Sequence, residues 1–150
     1  MTVSKVSWLL PPSKLKLSTH DVHVWRVRLN QTDGHVQQMQ QILSDDERLR
    51  SERFHFDRDR RRFIVSQGML RLIIADYIDM EPSRLQFYSG HRGKPYLIHS
   101  LGNVPLQFNL AHSNCWFMKS LTPEDGYVAA LALKGSDFCP FYLKYPGKNQ

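Results

Sequence analysis

The most highly charged segment of this 150-residue chain is Asp57-Arg58-Asp59-Arg60-Arg61-Arg62. Guanidinium groups bind phosphate oxygens through paired hydrogen bonds, so clustered arginines suit an anionic ligand. Arg58 and Arg62 are four residues apart and would share one helix face, which makes both candidate phosphate ligands. The alternative is a solvated helix surface in which charges pair locally, for example Asp59 with Arg62.

A second candidate anion site is the turn Gly90-His91-Arg92-Gly93-Lys94-Pro95. Its glycines expose backbone amides, Lys94 adds a positive charge and Pro95 stiffens the chain that follows. A basic hairpin turn explains the same residues equally well. The GxxxxGK[ST] spacing is absent, so the turn is not predicted to be a nucleotide-binding P-loop.

His112 follows the alternating segment Leu106–Leu110 and begins a polar stretch. Residues at strand ends often contact ligands, although an isolated histidine is more commonly structural or exposed. His20 and His23 have no third ligand at a recognised spacing, which argues against a zinc site. No GxSxG elbow is present, so a serine hydrolase is not predicted.

Two main helices are predicted to position these residues. Ser44-Asp45-Asp46-Glu47 is a capping box, which starts a helix predicted to continue to about Phe56. Apolar residues recur at helical spacing from about Asp59 to Ile78, and Glu81-Pro82 ends that helix. Strands are predicted at residues 22–29, 85–88, 96–98, 106–110, 117–120 and 127–133, the last two as a pair. This order predicts an α+β fold with a mainly antiparallel sheet.

The bulk composition is that of one domain covering residues 1–150. No apolar run approaches the roughly 20 residues that a membrane helix needs. The two cysteines form no CxxC motif, which predicts a reducing, cytoplasmic location. The net charge of +6 favours a polyanionic partner but does not choose among nucleic acid, acidic proteins and phosphorylated cofactors.

Four of these features occur in a recognisable order. Arg53-Phe54, the arginines at 58–62 opening a helix, Gly93-Lys94-Pro95 and the segment 108–113 (FNLAHS) together resemble the N-terminal half of Sfp-type 4′-phosphopantetheinyl transferases. Within that family, the chain resembles the cyanobacterial heterocyst-glycolipid type. The resemblance implies that residues 20–113 form one half of the family's pseudo-dimer and that residues 115–133 correspond to its C-terminal strand pair.

The family transfers phosphopantetheine from coenzyme A to a serine of an acyl or peptidyl carrier protein, using Mg²⁺. The resemblance implies that Arg62, with Arg58 on the same face, contacts the nucleotide end of coenzyme A. It places Lys94 and Pro95 along the adenosine and phosphate portion, and His112 on a phosphate. Ala111 stands where the family usually has serine.

The chain departs from the family after His112. The Gly-x-Asp-x-Glu motif that holds magnesium and the later Lys-Glu helix are both absent, so the chain is interpreted as internally truncated. Glu124 and Asp125 lie in a Pro-Glu-Asp-Gly sequence typical of a turn and are not predicted to be metal ligands.

Two alternatives to a working transferase stay open. One is a catalytically inactive remnant that still binds coenzyme A. The other is a small nucleic-acid-binding protein that uses the arginine cluster. Such proteins expose aromatic residues among basic ones, whereas the spacing of Phe54, Phe56 and Phe63 favours a buried stripe.

Overall fold

The computed structural model describes residues 7, 9–16, 21–90, 95–98, 100–101, 104–112, 127–133 and 139–144. The chain divides into two compact units, one formed by residues 29–106 and the other by residues 1–28 together with 107–150. The predicted α+β class is confirmed, because helices lie in the first unit and the largest sheet lies in the second.

The described elements comprise three helices, a 3₁₀ turn at Pro82–Arg84 and eight strands. The helices are α1 (Asp33–Ile42), α2 (Asp45–Glu52) and α3 (Asp57–Ile78). The strands are β1 (Asp21–Arg28), β2 (Phe87–Ser89), β3 (Pro95–Leu97), β4 (Ser100–Leu101), β5 (Val104–Pro105), β6 (Gln107–His112), β7 (Tyr127–Leu133) and β8 (Cys139–Lys144).

The four-stranded sheet has the order β6-β7-β1-β8. β1 pairs antiparallel with β7, where Trp25 lies opposite Ala130, and parallel with β8, where Trp25 lies opposite Leu143. The consecutive residues His23, Val24 and Trp25 are all buried. Because successive side chains of a strand point to opposite faces, both faces of β1 are shielded from water. Because β1 is an inner strand covered on both faces, its apolar and polar residues do not alternate regularly.

Helix α1 was not predicted, because its sequence is polar and rich in glutamine. Thr32 caps it by accepting a hydrogen bond from the backbone N–H of His35, at 3.3 Å. Only Val36 and Met39 are buried within it. Met39 packs against α3 at Gly68, where an added Cβ would lie 2.7 Å from the Met39 Cβ. Gly68 therefore permits the close approach of two helices.

The capping box predicted for α2 is confirmed. The Ser44 hydroxyl accepts from the Glu47 backbone N–H at 3.2 Å, and the Glu47 carboxylate accepts from the Ser44 backbone N–H at 2.9 Å. The helix ends at Glu52, however, so its predicted continuation to Phe56 was wrong. Phe56 is 64% exposed, in contrast to the buried stripe that the spacing favoured.

Helix α3 confirms the strongest helical pattern in the sequence, and twelve of its residues are buried. It ends at Ile78 and is capped by Asp79, whose φ of 54° lies in the left-handed region. Strands β2 and β3 form an antiparallel hairpin, which confirms the strands predicted around Phe87 and Tyr96. The strand predicted at 117–120 lies outside the described residues, and β7 pairs with β1 and β6. None of the described helices combines the length and apolar character needed to cross a bilayer.

Candidate functional site

A cavity of about 420 Å³ lies between α2, α3 and the hairpin of β2 and β3, all within the unit of residues 29–106. We call it the hairpin cavity. Arg50 of α2 and Gln67 of α3 line two of its walls, and Ser89 and Pro95 of the hairpin line another. The cavity combines apolar rings with polar and charged groups, the composition expected of a small-molecule site.

A buried ion pair forms one side of the hairpin cavity. Nε and Nη2 of Arg71 donate to the two carboxylate oxygens of Glu47 at 2.8 and 3.0 Å. Nη1 of Arg71 donates to the backbone carbonyls of Pro82 and Leu85 at 2.9 and 2.8 Å. Arg71 is 2% exposed, and its guanidinium lies 5.2 Å from the ring centroid of Phe87. One side chain thus joins α3 to α2 and to the chain entering the hairpin.

Arg50 is held beside the cavity by an aromatic contact. Its guanidinium carbon lies 5.4 Å from the ring centroid of Phe63, a cation–π distance. Phe63 also packs against Phe54, with ring centroids 5.2 Å apart. Arg50 remains exposed, so it can contact a ligand without losing a buried partner.

A second concave site, which we call the arginine groove, lies at the start of α3. It measures about 280 Å³, and its lining includes Arg58, Arg61 and Arg62 of α3 together with residues 29–31. The structure therefore brings Arg58 and Arg62 to one groove, as their spacing predicted. The lining of the groove shares no residue with that of the hairpin cavity.

The three arginines of the groove differ in how they are held. Arg61 donates to the Asp33 carboxylate at 2.6 Å and to the Gln31 carbonyl at 3.0 Å, so its charge is largely committed. Arg58 is 76% exposed and lies 3.6 Å from Asp59. Within the part of the chain that the structure describes, Arg62 makes no hydrogen bond or ion pair, and its predicted pairing with Asp59 is not formed. Of the three arginines of the groove, Arg62 is the one whose charge is not engaged by an acid of the described residues.

The remaining predicted site residues lie elsewhere. Pro95 begins β3, is exposed and lines the hairpin cavity. Lys94 immediately precedes it but lies outside the described residues. His112 ends β6, where its backbone pairs with Val128 of β7. Because His112 belongs to the other compact unit, its relation to Arg62 and Pro95 stays a prediction.

Two residues of the hairpin cavity, Arg50 and Arg71, were not predicted from the sequence. Arg50 gave no signal, because it is a single arginine in a short, mostly polar helix. Arg71 was hidden within an apolar helical stripe, where an arginine suggests exposure. The helical period places Arg71 at a core position, and this was the available signal. Because arginine is almost never fully buried unless it is paired, an arginine at such a position indicates a buried partner.

Among the residues that the structure describes, no three acidic, histidine or cysteine side chains converge on a point that could hold a metal ion. Glu124 and Asp125 are outside this part of the chain. The described unit of residues 29–106 thus holds a cavity of mixed polar and apolar lining and a separate groove lined by three arginines.

An α+β unit with these two sites is consistent with a protein that binds a phosphorylated organic ligand. Comparison with known families identifies it further. Residues 27–121 match the family described as 4′-phosphopantetheinyl transferase, N-terminal. The chain belongs to this family, and the resemblance noted in its motifs is confirmed.

Individual relatives agree with the family match. The 4′-phosphopantetheinyl transferase HetI of Nostoc sp. is 40% identical over 107 residues, which cover 71% of this chain and 45% of HetI. The Synechocystis sp. protein slr0495, provisionally named a 4′-phosphopantetheinyl transferase, is 36% identical over 85 residues, or 57% of this chain and 34% of that protein. The aligned part of the chain thus spans less than half the length of either relative.

Proposed function

We propose that this chain binds coenzyme A and that the hairpin cavity holds part of it. The single observation that carries the proposal is the joint presence of Arg50 and Pro95 on one cavity of a chain whose family acts on phosphopantetheine. Coenzyme A combines a purine, phosphates and an amide-rich arm. Apolar rings beside an exposed guanidinium suit such a mixed ligand.

Several cationic residues would share the phosphate charges of the coenzyme. Arg58 and Arg62 would bind a phosphate at the arginine groove, and Arg50 would bind one at the hairpin cavity. Lys94 adjoins Pro95 in sequence and would add a charge at the cavity rim. His112 would bind a phosphate, as the family resemblance implies. Guanidinium groups suit this role because they remain charged at all relevant pH values.

The activity that we propose for the whole protein is transfer of phosphopantetheine from coenzyme A to a serine of an acyl or peptidyl carrier protein in the cytoplasm. Magnesium is expected for the family, and no cluster of three acidic, histidine or cysteine side chains is present to hold it among the described residues. The Gly-x-Asp-x-Glu and Lys-Glu motifs are absent from the sequence. Our proposal for this chain is therefore binding of coenzyme A rather than catalysis of the transfer.

Calorimetric titration with coenzyme A tests the proposal. The expected result is saturable binding that weakens by about tenfold in R50Q or R62Q, because each removes a charge-assisted phosphate contact. Repeating the titration with 3′-dephospho-coenzyme A identifies the phosphate involved, since the variant whose defect shrinks is the one that contacts the 3′-phosphate. R84Q is the matched control, because Arg84 is exposed and lines neither site. Absence of binding heat from the wild-type chain would refute the proposal.

Transfer itself is tested by incubating the chain with coenzyme A, Mg²⁺ and an apo carrier protein. An inactive chain gives no phosphopantetheine mass increment on the carrier, whereas robust transfer would show that the missing motifs are dispensable. A remnant with an incomplete scaffold would unfold broadly, so a sharp cooperative thermal transition of a monomer would argue against that alternative.

Binding of nucleic acid is a second candidate function, favoured by the exposure of Phe54 and Phe56 beside the arginine cluster. Stacking on exposed rings combined with basic contacts is the usual mode of single-strand binding. Ion pairs of Arg60 with Asp57 and of Arg61 with Asp33 reduce the charge available for it. Tight, steeply salt-dependent binding of random oligonucleotides would support this candidate over coenzyme A.

A further inference from the structure

Among the described residues that line the hairpin cavity, acidic and basic side chains are equal in number. Asp46 and Glu47 contribute two carboxylates, and Arg50 and Arg71 contribute two guanidinium groups. Glu47 lies in the wall of a cavity proposed to accept a polyanion, where an uncompensated carboxylate would repel the ligand. The only group that engages both oxygens of this carboxylate, among the residues that the structure describes, is the buried guanidinium of Arg71.

We infer that Arg71 is a charge-masking and positioning residue of the hairpin cavity. This inference rests on the proposed binding of a polyanionic ligand there. Its two bonds to Glu47 neutralise the carboxylate that faces the cavity. Its bonds to the carbonyls of Pro82 and Leu85 fix the chain that leads into the hairpin. Arg71 does not touch the ligand in this arrangement but sets the electrostatic potential that the ligand meets.

Charge masking and simple scaffolding predict different outcomes for the two partners of the pair. Loss of either partner destabilises the fold, because it leaves the other group buried without compensation. For ligand binding the effects oppose each other. E47Q leaves the cavity one charge more positive, whereas R71Q leaves it one charge more negative. A purely structural pair would weaken binding in both variants.

The experiment titrates the wild-type chain, E47Q, R71Q and R71K with coenzyme A and, separately, with inorganic pyrophosphate. We expect E47Q to bind at least about threefold more tightly and R71Q about tenfold more weakly, the size of change that one unit charge several ångströms away produces at a protein surface. R71K keeps the charge but not the hydrogen-bond pattern, so it should bind better than R71Q while losing similar thermal stability. Both charge effects should shrink in high salt.

D45N is the matched control, because Asp45 lies beside the cavity-lining acids in the first turn of α2 but does not line the cavity. It should leave both affinities unchanged. Weaker binding in E47Q and R71Q alike would overturn charge masking and leave the proposed coenzyme binding intact. A wild-type chain that binds neither coenzyme A nor pyrophosphate would overturn both. E47Q keeps the test decisive if R71Q does not fold.

Discussion

Arg61 and Asp33 are joined by a 2.6 Å ion pair across 28 positions of sequence, which connects the second turn of α3 to the first turn of α1. Arg61 also donates to the Gln31 carbonyl just before α1. The pair lies where two helix N-termini meet, so the Asp33 carboxylate is favoured by the α1 dipole as well as by the guanidinium.

We therefore expect D33N to lower the free energy of unfolding by about 1 kcal/mol, since Asp33 is mostly exposed and its pairing is screened by solvent. Urea denaturation measures the change. D45N is the control, because Asp45 occupies the first turn of α2 and pairs with Arg48 only at 3.4 Å. Its effect should be smaller, and equal losses in the two variants would show that the Arg61 pair adds nothing beyond the dipole.

Two glycines in helices predict stability changes of opposite sign. A Cβ at Gly34 in α1 would meet no atom within 4 Å, so G34A should raise the free energy of unfolding by about 0.5 to 1 kcal/mol. A Cβ at Gly68 in α3 would lie 2.7 Å from that of Met39, so G68A should lower it by about 1 to 3 kcal/mol.

Chemical denaturation measures both changes. Because both variants replace glycine by alanine within a helix, the difference between their free energies of unfolding reports packing rather than helix propensity. A stabilising G68A would mean that α1 and α3 do not approach as closely as described.

Gly90 allows Tyr96 to stack on Tyr88, with ring centroids 5.5 Å apart. An added Cβ at Gly90 would lie 2.0 Å from a Tyr96 ring carbon, so G90A must displace the ring. We expect a loss of about 1 kcal/mol, the typical size of an aromatic pair, together with a changed near-ultraviolet circular dichroism spectrum.

The double variant G90A/Y96A supplies the comparison. Adding G90A to Y96A should cost little, because the clashing ring is gone. The same cost in both backgrounds would locate the effect in the backbone of Gly90.

Partial loss of hydration raises the pKa of the Asp76 carboxyl above its usual 3.8, although the residue as a whole is exposed at the surface. Because the folded state then holds the proton more tightly than the unfolded chain, this carboxyl lowers stability as pH rises from the unfolded pKa through the folded one. Its charge also lies in the last turn of α3, where the helix dipole disfavours an anion.

D76N should therefore stabilise the chain at neutral pH and have little effect below about pH 3, where Asp76 is protonated in both states. Thermal unfolding of the wild-type chain and D76N across this range gives the difference. An equal difference at all pH values would exclude titration of Asp76 as its origin.

Local sequence rules predicted those elements whose determinants are themselves local. The capping box at Ser44 and the apolar period of α3 each specify their element within a few residues. Helix α1 could not be predicted in this way, because only Val36 and Met39 are buried and its stability depends on packing against Gly68. Strand β8 was missed because Pro140 disfavours a strand, a penalty that an edge position beside β1 tolerates.

The candidate site likewise contains residues that local spacing predicted and residues whose roles depend on packing between segments. The spacing of Arg58 and Arg62 predicted that they share a groove, because i and i+4 positions meet on any helix. Arg50 gave no signal in the sequence, and the position of Arg71 in the helical period marked it as unusual without indicating its partners. Their roles depend on contacts between segments, which one-dimensional patterns do not contain.

The position of β1 between β7 and β8 has a consequence for biosynthesis. About a hundred residues must be made after this strand before either neighbour exists, so its backbone groups stay unsatisfied for most of translation. The helical unit, built from nearer contacts, can assemble in the meantime. A nascent chain halted before residue 127 would thus present an unpaired strand, with three valines and Trp25 among its eight residues, to the chaperones around it.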